Sequence, residues 1–88
     1  MEDVIRKVEK EKGEKWEAFR DRHGDWGRDL VFWLARRTTG MTLGQVGKKA
    51  GGIDYATVGM ALRYFEARCQ RDKKLLWLRE KLKNDFLG

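Results

Sequence analysis

The sequence predicts an all-α domain, a compact bundle of about five helices that contains a helix-turn-helix. Three observations carry this expectation. The 88 residues include no Pro, and the charged side chains are mostly Glu, Lys and Arg, which favour helices. Apolar residues recur at spacings of three and four, the period of a helix with one buried face. The ten Gly fall largely between those runs, where helices end. A chain of this length suits one core, so residues 1–88 are read as a single domain. Four Trp and four Phe supply bulk for that core and argue against disorder.

Taken in order, Val4, Ile5 and Val8 predict a first helix over about residues 2–12, stopped by Gly13. Trp16 and Phe19 fit a short helical turn resting on the core, and His23-Gly24-Asp25 breaks the pattern. Asp25 or Gly24 then caps the most hydrophobic helix, Trp26 to about Thr38. Leu30, Val31, Trp33 and Leu34 should face inward there, with Arg28, Arg36 and Arg37 outward. Thr42-Leu43-Gly44-Gln45 matches the capping box and opens a short helix that Gly51-Gly52 closes. Asp54 precedes a longer helix from Tyr55 to about Cys69, with Val58, Ala61 (or Leu62) and Phe65 as its apolar stripe. Leu75, Leu78 and Leu82 mark a last helix over about residues 71–86.

The net charge is +6, and residues 1–24 contribute nothing to it, since their acids and bases balance. The excess lies in the middle and C-terminal parts, which suits a polyanionic partner. The same charge also fits simple solubility. Cys69 is the sole cysteine, so no internal disulfide can form, and a reducing, cytoplasmic setting is expected. The acidic start Met1-Glu2-Asp3-Val4 is not a signal peptide, and the longest apolar run, Leu30 to Ala35, is far too short to span a membrane.

The informative unit is residues 42–69: a short capped helix, a turn with two glycines, and a longer helix. A helix-turn-helix of this layout presents the first residues of its second helix to base edges in the major groove. Asp54 can accept from the amino group of cytosine, Tyr55 offers a hydroxyl and a flat face, and Ala56 and the Thr57 methyl suit a thymine methyl. Lys48, Lys49 and Arg63 are placed to reach phosphates. Each also has a plainer reading: Asp54 as an N-cap only, Tyr55 as an exposed aromatic, Thr57 as an ordinary first-turn residue.

Residues 28–65 resemble the C-terminal DNA-binding domain of the bacterial replication initiator DnaA. The resemblance rests on Arg28, on Leu34-Ala35-Arg36, on Thr39 to Gly47, and on Gly51-Gly52-Ile53-Asp54-Tyr55-Ala56-Thr57-Val58, with Arg63 in the basic position that follows. It implies a bundle of the DnaA DNA-binding-domain type, similar also to the Trp repressor. It further implies that residues Asp54 to Thr57 read bases, that Arg28 and Arg36 hold the phosphate backbone, and that Arg20 or Arg22 enters the minor groove. A bacterial nucleoid location and a part in replication initiation would follow. Tyr55 stands where the family carries His, so the initiator's own target is not expected to carry over. Gly59-Met60 departs as well. The chain has no phosphate-binding Gly-rich loop and cannot supply the initiator's ATPase. The Tyr variant is also similar to the DnaA-like tail of REP-associated tyrosine transposases, which would make the chain the DNA-binding part of a larger parent protein or the companion of a catalytic domain.

Other classes fit less well. His23 is the one histidine, so Tyr55 and Tyr64 lack the metal-binding pair that a tyrosine transposase nucleophile needs. Cys69 has no base beside it in sequence, and a semi-buried structural place is expected. We therefore expect no enzymatic activity, metal, cofactor, small-molecule substrate or membrane partner. The alternative is a protein-interaction module in which helices 2–12 and 71–86 dock a partner, through Leu75, Leu76, Trp77, Leu78 and Leu82 above all; the plainer reading has these side chains close the core.

Overall fold

The computed structural model describes residues 1–87. Among them lie six helices and no strand: α1 (Glu2–Lys12), α2 (Trp16–Phe19), α3 (Trp26–Thr39), α4 (Leu43–Lys49), α5 (Tyr55–Arg71) and α6 (Lys73–Leu87). The all-α expectation holds, with the short turn at Trp16 counting as the extra helix. The whole measures 29 × 25 × 25 Å.

The central element is α3. Its residues Leu30 to Ala35 are all buried, Phe32 and Ala35 included. A stretch that is apolar around its whole circumference must be surrounded, and α1, α2, α4, α5 and α6 all pack against α3. Val4 and Val8 of α1, Val58, Ala61, Phe65 and Cys69 of α5, and Leu75 and Leu82 of α6 complete one core. Cys69, expected to be semi-buried, is fully enclosed, and burial pushes its thiol above the usual range. It therefore stays a neutral, unreactive packing group.

Arg28 differs from expectation. The helical pattern puts it outward, yet it is buried with Asp29 beside it, Nε to Oδ1 at 3.3 Å, and its guanidinium lies 5.4 Å from the Phe32 ring centroid. The physical reason is position: the first turn of α3 is covered by the rest of the bundle, so both members of the pair go inside together.

The entry to α3 is built around Asp25. Its carboxylate accepts from the backbone N–H of Gly27 and Arg28, satisfying donors that a helix start leaves unpaired. The same carboxylate meets the Lys12 ammonium at 3.1 Å. Lys12 is itself enclosed between the rings of Phe19 and Trp26, at 4.9 and 4.6 Å from their centroids. This knot ties the end of α1 to the start of α3. Burial pushes the Asp25 carboxyl up, but Lys12 and the two backbone N–H groups outweigh it and hold it below its ordinary 3.8. Its stabilisation is therefore complete above pH 3.8 and is lost as pH falls from there through the lowered folded-state value. Asp25→Ala is expected to cost about 2 kcal/mol in urea unfolding, through the lost cap and the loss of one of the two carboxylates that hold the enclosed Lys12, Glu14 being the other at 3.3 Å. An unchanged midpoint would remove the knot from the fold's supports.

The last boundary contains neither Gly nor Pro. Asp72 adopts an extended backbone and its carboxylate accepts from Leu75 N–H at 3.0 Å, so an aspartate ends α5 and opens α6.

Candidate nucleic-acid interface

The site begins with α4. Thr42 and Gln45 form the reciprocal capping box, which fixes where α4 starts. At its other end, the Gly47 carbonyl accepts from the N–H of both Gly52 and Ile53, at 3.0 and 2.9 Å. The chain folds back so tightly that a Cβ on Gly47 would stand 1.9 Å from the Ile53 carbonyl oxygen. Gly51 and Gly52 have φ of 115° and 92°, a region that side chains with a Cβ rarely enter. The result is a sharp turn that lays α5 across α4, with Val46 and Val58 both buried beneath it.

That turn delivers the start of α5 to the surface. Asp54 sits at the N-cap position, is exposed, and makes no capping bond with its side chain. The plain N-cap reading is thus not what the geometry favours: its carboxylate is uncommitted. Tyr55 is 63% exposed, Ala56 is exposed and Thr57 half-buried. Lys48 and Lys49, both exposed, lie in the last turn of α4 just before the glycines. Arg63 is exposed two turns further along α5. The partial positive charge at the start of α5 adds to these cations, so the face is suited to an anion-rich surface.

The other sequence-derived cations divide. Arg36 is exposed, and its Nη1 donates to the Met41 carbonyl at 2.8 Å, bracing the link between α3 and α4 while its other donors stay open. Arg20 is half-exposed, and its guanidinium rests against Gly51, close enough that a Cβ there would stand 2.7 Å from Nη1. Arg20 therefore joins the turn. Arg22 does not: it bonds Glu14, Asp25 and the Ala18 carbonyl in the corner around α2. Arg28 is brought to the core instead of the face.

Sequence reasoning marked Met60 only as a departure from the family pattern and Tyr64 only as an unsupported nucleophile; they are 53% and 64% exposed on α5. Their signal was available, since Met60 follows Ala56 by one helical turn. The alternative docking segment around Leu75–Leu82 divides. Leu75 and Leu82 close the core and Leu78 is half-buried, while Leu76 and Trp77 are 36% and 65% exposed, with the Lys81 ammonium 5.3 Å from the Trp77 ring. His23 is exposed in the turn before α3. Among the described residues no group of three or more His, Cys, Asp or Glu could hold a metal, and no helix is long and apolar enough to cross a membrane.

Comparison with known proteins gives one informative similarity. The chain is 38% identical over 59 residues to the chromosomal replication initiator protein DnaA of Limosilactobacillus fermentum, a match covering 67% of this chain and 14% of that protein. The chain thus spans only a small part of the length of the relative it matches. No protein-family model matches the chain. No solved structure matches it.

Proposed function

We propose that this chain binds double-stranded DNA in a sequence-dependent way, with the first turn of α5 in the major groove. The observation that carries this reading is the state of that turn. Asp54, Tyr55 and Ala56 are exposed at the start of a long helix, and Asp54 is not spent on a cap. They follow the exposed Lys48 and Lys49 across the turn that Gly47 locks, which supports reading α4 and α5 as a helix-turn-helix. The similarity to a replication initiator supports the same reading. In it, Asp54, Tyr55, Ala56 and Thr57 read bases, while Lys48, Lys49, Arg36 and Arg63 hold phosphates. Arg20, at the turn, is the better placed of the two arginines to reach an adjacent minor groove. Arg28 takes no direct part. The chain acts as a binding module without catalysis, at the bacterial nucleoid, either in initiator-like recognition or as the DNA-reading part of a larger protein such as a transposase.

The test is selection of bound duplexes from a random pool at two salt concentrations. The expected result is a short enriched motif and an affinity that falls steeply with salt. Lys48→Gln with Lys49→Gln should weaken all duplexes alike and lower the log–log salt slope by about 2. Tyr55→Ala or Thr57→Val should instead change the motif, by about 1–3 kcal/mol at the affected base pair. No enrichment and no salt-sensitive binding would end the proposal. A motif within a hairpin repeat, as opposed to an initiator box, would select the transposase context.

A further inference from the structure

Helical periodicity turns Val58, Ala61, Phe65 and Cys69 of α5 into the core. The opposite side of the same helix therefore carries Ala56, Met60 and Arg63, spaced by four and three. Met60 is 53% exposed, a long apolar side chain left uncovered next to a small one. Between Tyr55 and Arg63 the helix carries Gly59, where a Cβ would meet only Leu43 Cδ1, at 3.4 Å. The surface one turn into α5 is thus shallow at Gly59, apolar at Ala56 and Met60, and cationic at Arg63.

We infer that Met60 is a specificity-determining residue that takes the C5-methyl group of a thymine in the major groove, one helical turn beyond the Asp54–Thr57 segment. This rests on the proposed duplex reading and deepens it. The argument is chemical. In the major groove, thymine differs from the other bases by an apolar methyl, and a flexible thioether side chain adapts its shape to such a group. Arg63, three residues on, anchors the flanking phosphate and fixes the depth at which Met60 meets the base. Ala56, one helical turn before it, would meet a different base, so the two contacts are separable.

The experiment uses the full chain and the duplex enriched by selection, with each thymine replaced in turn by deoxyuridine, which lacks only the methyl. For the unsubstituted protein, deoxyuridine at the Met60 position should weaken binding about threefold to tenfold, the scale of one buried methyl. Met60→Gln, similar in length but polar, should bind thymine and deoxyuridine equally at that position while keeping the penalties elsewhere. Met60→Leu should retain the discrimination. Because Met60 is exposed, both variants should unfold at the same temperature as the parent chain. The inference is overturned if no thymine is enriched, if every deoxyuridine duplex binds like its parent, or if Met60→Gln keeps the full penalty. In those cases an enriched motif and steep salt dependence would leave the duplex reading standing. Failure to enrich any sequence would overturn both.

Discussion

Gly47→Ala is expected to destabilise the protein by about 3 kcal/mol, while Gly44→Ala, three residues earlier on the same helix, is expected to stabilise it by up to about 1 kcal/mol. Both changes replace a helical glycine with the best helix former, so propensity favours both equally. The difference is what the new methyl meets. At Gly44 nothing lies within 4 Å. At Gly47 the methyl would stand 1.9 Å from the Ile53 carbonyl oxygen and 3.0 Å from its carbon, both backbone atoms. Backbone cannot rotate away as a side chain does. Relief requires the turn to open, which breaks the bonds from Gly52 and Ile53 to the Gly47 carbonyl. Steric cost therefore exceeds propensity gain at one position and is absent at the other. For a domain of this size, Gly47→Ala should lower the melting temperature by roughly 10–20 °C. Opening the turn also swings the first residues of α5, so duplex affinity should fall even at temperatures where the variant is still folded. Thermal unfolding of the two variants side by side is the measurement. Equal shifts in the same direction would mean that α4 and α5 do not approach as described.

Much of this architecture was legible in the sequence because it is encoded locally. The capping box at Thr42 and Gln45, the Asp25 cap and the Gly51-Gly52 turn each involve residues a few positions apart, and each is where short-range chemistry puts it. The start and end of α3 were legible to within a residue for the same reason. What escaped was set by tertiary packing. The sequence shows that Leu30, Val31, Trp33 and Leu34 are apolar, but only the surrounding helices decide that Phe32 and the charged Arg28 and Asp29 are buried too. The break near residue 70 was legible from the two apolar stripes, but the residue that makes it, Asp72, was not, since a single aspartate inside a basic run is a weak stop signal.

The candidate interface was legible to a different degree. Asp54, Tyr55 and Ala56 reach the surface together because two local features, a double glycine and a helical period, agree on where α5 begins. The partition between Arg20 and Arg22 was not legible. It depends on Glu14 and Asp25, which claim Arg22, and on the bare backbone of Gly51, against which Arg20 rests. By contrast, the helical spacing of Leu75 and Leu82 already suited a core stripe, and both are buried where α6 packs on α3.

Arg28→Met is expected to lower stability by about 3 kcal/mol near neutral pH and to leave the DNA motif unchanged. Asp29 is buried, and burial raises its carboxyl above the ordinary 3.8; the Arg28 charge and hydrogen bond oppose that rise, Asp25 adds to it, and Arg68 opposes it. Removing the guanidinium leaves a buried carboxylate with its main compensation gone. The cost is limited by protonation, since a neutral carboxyl is far cheaper to bury than an anion. The sign of the pH dependence follows. The folded-state value lies above the unfolded one, so the folded protein holds the proton more tightly, and stability falls as pH rises from 3.8 through the raised value. In Arg28→Met that value moves higher still, so the variant should be distinctly more stable at about pH 5 than at about pH 8. Adding Asp29→Asn should flatten the profile. Urea unfolding across this range measures it. The opposite pattern, unchanged stability with equally weakened binding to every duplex, would place Arg28 on the phosphate backbone, as its match to the initiator pattern implies, and would require the first turn of α3 to open toward DNA.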